Sequence, residues 1–173
     1  MKKLQKTKIM VIVHGKSELN ICKSIKSNLR IKHEIVSEKN GCHSIQVTSI
    51  LKKLEERDFK NSVNFFKKYP DIEHKKNELI GFKLFVIMDL DDCKENDKNN
   101  YKNRSMFKKH WLYNYIVPIY NDPNLEATMK SIGVDVIKKK DYIKIFPTNH
   151  GDLNSEIIKE MSDKKNRNPF TKL

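Results

Sequence analysis

The sequence predicts an α/β fold with a mainly parallel central sheet flanked by helices. Two continuous apolar runs, 8–13 and 82–88, are rich in β-branched residues and have the composition of strands buried on both faces. Amphipathic stretches with helical spacing alternate with the strand-like runs, and this alternation favours parallel strands joined by helices. The chain has 173 residues, a length that suits one domain with one core.

The predicted strands end at turns or polar residues. Strands are predicted at 8–13, 33–37, 82–88, 116–120 and 142–146. The first stops at His14-Gly15, and the third stops at Asp89. Pro118 cannot donate a hydrogen bond to a sheet, so the strand that contains it is predicted at an edge or as a strand beginning there.

The predicted helices have recognisable ends. Helices are predicted at 17–29, 44–57, 59–69, 107–115, 122–132 and 152–161. Ser17 is a suitable N-cap, Pro70 ends a helix, and Pro123 suits a first helical turn. Residues 93–104, rich in Asn, Lys and Asp, are predicted to form a loop.

The charge and cysteine content narrow the class of protein. Lys and Arg number 35 against 22 Asp and Glu, a net charge of +13, which favours a nucleic-acid partner, although lysine-rich solvated faces would give the same excess. No apolar run approaches the ~20 residues of a membrane span, and the amino-terminal run is too short for a secretion signal.

Three cysteines without a CxxC spacing argue against a disulfide scaffold, so we expect a cytoplasmic protein. A zinc site formed by Cys42, His43, Cys93 and a distant histidine is a weaker alternative.

Carboxylates cluster where the strand 82–88 ends. Asp89 and Asp91 are two apart and so are expected on one side of the chain, while Asp92 begins the following loop. Carboxylates facing a common point suit Mg²⁺ or Mn²⁺, and Glu18, one turn into the first helix, reaches the same ion if the two buried strands are neighbours. The alternative is that these aspartates cap the next segment or are solvated.

These segments resemble the TOPRIM domain, which topoisomerases, primases, small ribosomal-RNA maturases and phage-defence nucleases share. The resemblance rests on 13–18 (VHGKSE) and 86–91 (VIMDLD), separated by about 70 residues, and covers 8–132. It implies a Rossmann-like sheet that binds Mg²⁺ through Asp89 and Asp91 and a chemistry of phosphodiester cleavage or transfer. We therefore predict one domain over 1–173, with the TOPRIM-like core followed by a strand-helix extension at 133–161 and a polar tail at 162–173.

The sequence departs from the family pattern at one position. The family has a glutamate, the general acid/base, directly before the turn glycine, and this chain has His14 there. The histidine is expected to transfer protons in its place, or to bind another metal, or to mark a domain that has lost catalysis and retains binding. Glu18 matches the second acidic position of several family branches and is a candidate to supply the missing carboxylate.

Further residues are candidates for contact with substrate. Lys16 lies beside Gly15 near the start of the first helix, where free N–H groups favour a phosphate. Glu126 and His150 follow the fourth and fifth predicted strands and so are expected near the same edge. The full set of candidate substrate contacts is Gly15, Lys16, Asp92, Glu126 and His150.

The favoured function is Mg²⁺-dependent cleavage or transfer of a nucleic-acid phosphodiester, with a possible protein partner in a larger system. The first alternative is a TOPRIM-like binding module without catalysis. A second alternative is a haloacid-dehalogenase-type phosphatase. Residues 89–93 resemble the DxDx[TV] motif of that family, although Cys93 stands where the family has Thr or Val. A P-loop is excluded, because Met10 occupies the position of its first glycine.

Overall fold

A parallel four-stranded sheet is the centre of the computed structural model, which describes residues 6–136, 138–148 and 155–165. The strands in this part of the chain are β1 (Ile9–Val13), β2 (His33–Val36), β3 (His74–Lys75), β4 (Glu78–Leu79), β5 (Lys83–Asp89) and β6 (Ile116–Asn121). The sheet order is β2-β1-β5-β6, and β3 and β4 form a separate antiparallel pair. The α/β, Rossmann-like fold class predicted from the sequence is confirmed.

The two most apolar runs occupy the middle of the sheet. β1 pairs with β2 on one side and with β5 on the other, so both of its edges are hydrogen-bonded, and side chains of the flanking helices cover its two faces. β6 pairs with β5 and is an edge strand among the described residues, and it contains Pro118 as expected. Central strands must be apolar on both faces, and this explains why β1 and β5 are the continuous hydrophobic segments.

Helices cover both faces of the sheet. They are α1 (Lys16–Leu29), α2 (Ile50–Leu54), α3 (Ser62–Lys68), α4 (Glu95–Lys102), α5 (Leu125–Ser131), α6 (Tyr142–Ile145) and α7 (Ser155–Lys165). Alternate residues of β1 and β5 enter two different clusters. One cluster unites the sheet with α2, α3 and α4 through the buried side chains of Met10, Ile12, Ile50, Leu54, Phe65, Leu84, Val86, Met88 and Tyr101. The other joins Val11 and Val13 to Leu19 and Cys22 of α1.

The prediction of a strand at 142–146, the strand assigned to the 133–161 extension, is wrong. Tyr142–Ile145 is a short helix, α6, that packs against α1. Tyr142 and Phe146 are four residues apart, and both are fully buried in one cluster with Ile21 of α1. The aromatic and β-branched composition indicated a strand, but the two rings reach the core from one face of a helical turn.

The predicted loop at 93–104 is also wrong over most of its length. Glu95–Lys102 forms α4, with Glu95 and Asp97 in the first turn, where acidic residues favour helix formation. Tyr101 anchors this polar helix: it is fully buried, and its hydroxyl donates to the Val86 carbonyl oxygen at 2.7 Å. One buried side chain in an otherwise polar helix leaves too little periodicity to detect in the sequence.

Three predicted helices are shorter than expected. The stretch 59–69 is helical only at α3, and the stretch 122–132 only at α5. The stretch 44–57 contains only α2 and a 3₁₀ turn at Val47–Ser49. The stretch 107–115 contains 3₁₀ turns instead of an α-helix. Within the described ranges, no helix is long and apolar enough to cross a lipid bilayer.

Candidate functional site

The candidate site lies where three neighbouring parallel strands end. His14 directly follows β1, Asp89 is the last residue of β5, and Asn121 is the last residue of β6. Asp89 and Asn121 are paired in the strand register, and Val13 is paired with Ile87. Carboxyl ends of parallel strands are the usual place for a site in open α/β sheets, and the predicted meeting of these segments is confirmed.

His14 is held in one orientation by the segment that follows β2. Its Nδ1 lies 2.9 Å from the Ile45 carbonyl oxygen, and the Ile45 N–H donates to the His14 carbonyl oxygen at 2.7 Å. A carbonyl oxygen only accepts, so Nδ1 carries the donated proton. The other ring nitrogen, Nε2, lies 3.9 Å from Asp89 Oδ2. When the ring is neutral, Nε2 is therefore the proton acceptor, and it faces Asp89.

Asp89 is buried and has a neighbour on each oxygen. Only 6% of the residue is exposed, and Oδ1 accepts a hydrogen bond of 2.9 Å from Asn121 Nδ2. Burial, and after it the charge of Glu18, raises the pKa of Asp89 to about 6. The Asn121 hydrogen bond and His14 act in the opposite direction. Asp89 therefore exchanges its proton close to neutral pH.

Glu18 is the second buried carboxylate. It lies in the first turn of α1 and is 4% exposed, and its Oε2 accepts a hydrogen bond of 3.1 Å from the Gly15 N–H. Burial is the main cause that raises the pKa of Glu18, and the charge of Glu126 raises it further. Because Glu18 also raises the pKa of Asp89, the two predicted ligands lie close enough for their charges to repel each other.

Asp91 lies beyond the end of β5, and its charge contributes to raising the pKa of Asp89. The Leu90 N–H donates to the Asn121 and Pro123 carbonyl oxygens, which ends the strand at Asp89. Asp91 is exposed, and its Oδ2 accepts a hydrogen bond of 3.0 Å from Asn124 Nδ2. The two-residue alternation that predicted a shared direction for Asp89 and Asp91 does not extend beyond the end of the strand.

The described residues bring two buried carboxylates, Glu18 and Asp89, to the site. In this part of the chain, no three side chains of His, Cys, Asp or Glu are placed to hold a metal ion together. The structure thus does not assemble Glu18, Asp89 and Asp91 as one metal-binding group. Mg²⁺ is often bound by one or two carboxylates, with waters and phosphate oxygens completing its shell. Glu18 and Asp89, buried and mutually repelling, fit such a cation.

The other candidate substrate contacts are dispersed. Lys16 is exposed, and its Nζ donates to the Asn40 carbonyl oxygen at 3.3 Å. Gly15 is buried, and its N–H is used by Glu18. Asp92 is exposed, and burial and the charge of Asp91 raise its pKa. His150 lies outside the described residues.

Glu126 approaches the site, as the sequence predicted. Two further residues near the site were not among the residues predicted from the sequence. It is half-buried in the first turn of α5, and its charge acts on Glu18 and on Tyr142. The missed residues are Asn121 and Tyr142. Asn121 was detectable, because it directly follows the predicted strand 116–120, as Asp89 directly follows 82–88. Tyr142 was hidden by the wrong strand at 142–146.

Tyr142 is a buried phenol beside these carboxylates. The ring is fully buried, and its hydroxyl has no hydrogen-bond partner within the described part of the chain. Burial raises the pKa of Tyr142, and the charges of Glu126, Glu18 and Asp89 raise it further. The phenol consequently stays protonated and is a potential hydrogen-bond donor to an anion.

A wider cavity lies at the opposite end of the sheet. Its volume is about 310 Å³, and its lining includes Thr7, Glu34, Tyr69 and Asp71. Thr7 precedes β1, and Glu34 lies near the start of β2, so the cavity is at the amino ends of the strands. It is separate from the acidic site.

Comparisons of this chain with protein-family models, with curated proteins and with solved structures found no match. The resemblance to the TOPRIM domain therefore depends on the segments 13–18 and 86–91 and on the arrangement of the residues within them.

Proposed function

We propose that the chain is a TOPRIM-like enzyme that cleaves or transfers a nucleic-acid phosphodiester with the help of Mg²⁺ or Mn²⁺. The observation that supports this most is the pair of buried carboxylates, Glu18 and Asp89, at the carboxyl ends of the strands. Two buried acids that repel each other are costly for the fold unless a positive group lies between them. A divalent cation is such a group, and it prefers oxygen ligands.

Glu18 and Asp89 would hold the cation. When bound, the ion neutralises charge on the phosphate and makes a water molecule a better nucleophile. Asn121 fixes Asp89 by donating to Oδ1, which leaves Oδ2 towards His14 and the open edge. His14, oriented by the Ile45 carbonyl oxygen, accepts or returns a proton at Nε2.

A polyanionic substrate fits the charge of the chain. The net charge is +13, and Lys16 is exposed at the beginning of α1, two residues before Glu18 in the chain. Lysines that contact phosphates release counterions, so binding is expected to weaken steeply as the salt concentration rises. A cytoplasmic location and a partner protein in a larger system also belong to the proposal.

The direct test is cleavage of end-labelled DNA and RNA, single- and double-stranded, with Mg²⁺, with Mn²⁺ and with EDTA. We expect metal-dependent cleavage by the wild-type chain and a loss of at least about 100-fold in Asp89→Asn. Glu95→Gln is the matched control, because Glu95 is an exposed carboxylate in α4 and is expected to leave the rate unchanged. Equal rates for Asp89→Asn and the wild type would contradict the proposal, as would the absence of cleavage with every substrate.

A binding module without catalysis is the second candidate. It is favoured by the lack of a three-residue His, Cys, Asp or Glu group for a metal among the described residues, and by the use of Glu18 as a partner of the Gly15 N–H. Nucleic-acid binding that persists in EDTA and in Asp89→Asn, without cleavage, would favour this candidate. Hydrolysis of p-nitrophenyl phosphate that depends on Asp89 would favour the phosphatase alternative.

A further inference from the structure

The Asn121 side chain is buried with one of its two polar atoms satisfied. Asn121 is 1% exposed, and its Nδ2 donates to Asp89 Oδ1 at 2.9 Å. Its Oδ1 is also buried and accepts no hydrogen bond from any residue in the described part of the chain. A buried amide oxygen normally has a partner, and the described residues leave this one open to a further group.

Asn121 adjoins both carboxylates proposed to hold the cation. It is the direct register partner of Asp89 across β5 and β6. Asn121 and Glu18 also line the same small cavity, which has a volume of about 40 Å³. The amide is thus next to Asp89 through the strand pairing and next to Glu18 through the packing of α1.

The chemistry of the amide oxygen suits a hard cation. Asn carbonyl oxygens are common ligands of such ions, and they add no negative charge to a site that already contains two repelling carboxylates. Asp91, the third ligand that the sequence pattern predicted, is exposed and bonded to Asn124 instead. One asparagine therefore stands at the strand end in the place where a third oxygen is needed.

We propose that Asn121 Oδ1 is the third protein ligand of the divalent cation, together with Glu18 and Asp89, and that Asp91 is not a ligand. This inference rests on the proposed function, because it requires the cation. It assigns to Asn121 two tasks at once, since Nδ2 orients Asp89 while Oδ1 binds the ion.

Calorimetric titration with Mn²⁺ tests the inference without an activity assay. We expect one Mn²⁺ site in the wild-type chain and an affinity at least about tenfold weaker in Asn121→Ala. Asn121→Asp retains an oxygen at the same place and is expected to bind Mn²⁺ at least as tightly as the wild type. Asp91→Asn is the control and is expected to change the affinity by less than about threefold. The increase in melting temperature that Mn²⁺ produces in each variant is a second measure of its Mn²⁺ affinity, and it also shows that each variant is folded.

The failure of the inference is distinguishable from the failure of the proposed function. If the wild type binds Mn²⁺ and Asn121→Ala binds it equally well, the inference is wrong and the cation site remains. If Asn121→Asp is weakened as much as Asn121→Ala, Asn121 acts only by orienting Asp89, and the inference is again wrong. If the wild-type chain binds no Mn²⁺ at millimolar concentration, both the inference and the proposed metal-dependent function are wrong.

Discussion

Asn121 Nδ2 donates a hydrogen bond of 2.9 Å to Asp89 Oδ1, and the two residues are direct partners at the ends of β5 and β6. This bond joins the ends of the two strands and holds in place the carboxylate whose pKa is raised to about 6. The other oxygen, Oδ2, lies 3.9 Å from His14 Nε2. Asp89 is therefore positioned by both neighbouring strands, which is the arrangement that a metal-binding or proton-transferring carboxylate needs.

The buried charge of Asp89 is expected to make the stability of the metal-free chain depend on pH. Burial, with the charge of Glu18, raises its pKa to about 6, so the folded chain keeps a proton that the unfolded chain loses above about pH 4. The corresponding stability is complete below the unfolded pKa and is lost as the pH rises through 6. Asp89→Asn removes the charge while keeping an oxygen for Asn121. In EDTA at pH 8 we expect this variant to be more stable than the wild type by about 1 to 2 kcal/mol.

Urea unfolding of both chains at pH 4 and pH 8 checks this expectation. The difference between the variant and the wild type should be much smaller at pH 4, where Asp89 is protonated in the folded chain and about half protonated in the unfolded chain. An equal difference at the two pH values would show that the carboxylate is not strained by burial.

His14 is expected to contribute to the chemical step. His14→Asn keeps a donor near the position of Nδ1, which can still reach the Ile45 carbonyl oxygen, and removes Nε2 from the side of Asp89. We expect a rate of cleavage about 100- to 10,000-fold lower at saturating metal, with Mn²⁺ affinity nearly unchanged. Single-turnover cleavage measures the first quantity and calorimetry the second. A variant that cleaves at the wild-type rate would assign His14 a structural role only.

Gly41 is expected to be required by the close approach of α1. Its φ is +79°, and a Cβ there would lie 2.9 Å from Lys16 Cα, whereas Gly133 has a φ of +78° with nothing within 4 Å. Alanine at either position incurs the cost of a left-handed backbone, about 1 kcal/mol or more. We expect Gly41→Ala to lose at least about 1 kcal/mol beyond the loss in Gly133→Ala, because the helix backbone must also move. Equal losses in urea unfolding would mean that the contact with Lys16 relaxes freely.

The two fully buried tyrosines are expected to respond in opposite ways to loss of the hydroxyl. The Tyr101 hydroxyl donates to the carbonyl oxygens of Val86 and Ile119, and its removal in Tyr101→Phe should destabilise the chain by about 1 to 2 kcal/mol. The Tyr142 hydroxyl has no partner in the described residues, so Tyr142→Phe should be neutral or stabilising by up to about 1 kcal/mol. Urea unfolding at neutral pH compares the two. A destabilised Tyr142→Phe would indicate that its hydroxyl has a partner after all.

The sheet and its acidic edge were predictable because they follow from strong local signals. β1 and β5 are apolar and β-branched, and parallel strands bring their carboxyl ends together, which placed His14, Glu18 and Asp89 at one edge before any coordinates. The direction of Asp91 was not predictable, because the strand ends when the Leu90 N–H turns to the Asn121 carbonyl oxygen. Such an ending is a tertiary contact that the two-residue alternation does not contain.

The prediction of a strand at 142–146 was wrong for a related reason. The sequence Tyr-Ile-Lys-Ile-Phe at 142–146 alternates like a strand, and its β-branched and aromatic residues favour one. The fold instead uses the spacing of four between Tyr142 and Phe146 to bury both rings against α1. Local propensity was overridden by packing, and the phenol beside the acidic site was missed with it.

The central claim is that Glu18 and Asp89 converge on one divalent cation, and anomalous diffraction from crystals soaked in Mn²⁺ tests it most directly. We expect a single strong peak within bonding distance of a carboxylate oxygen from each of these two residues. A peak held by Asp91 and Asp92 instead, or no peak beside Glu18 and Asp89 at saturating Mn²⁺, would contradict the account.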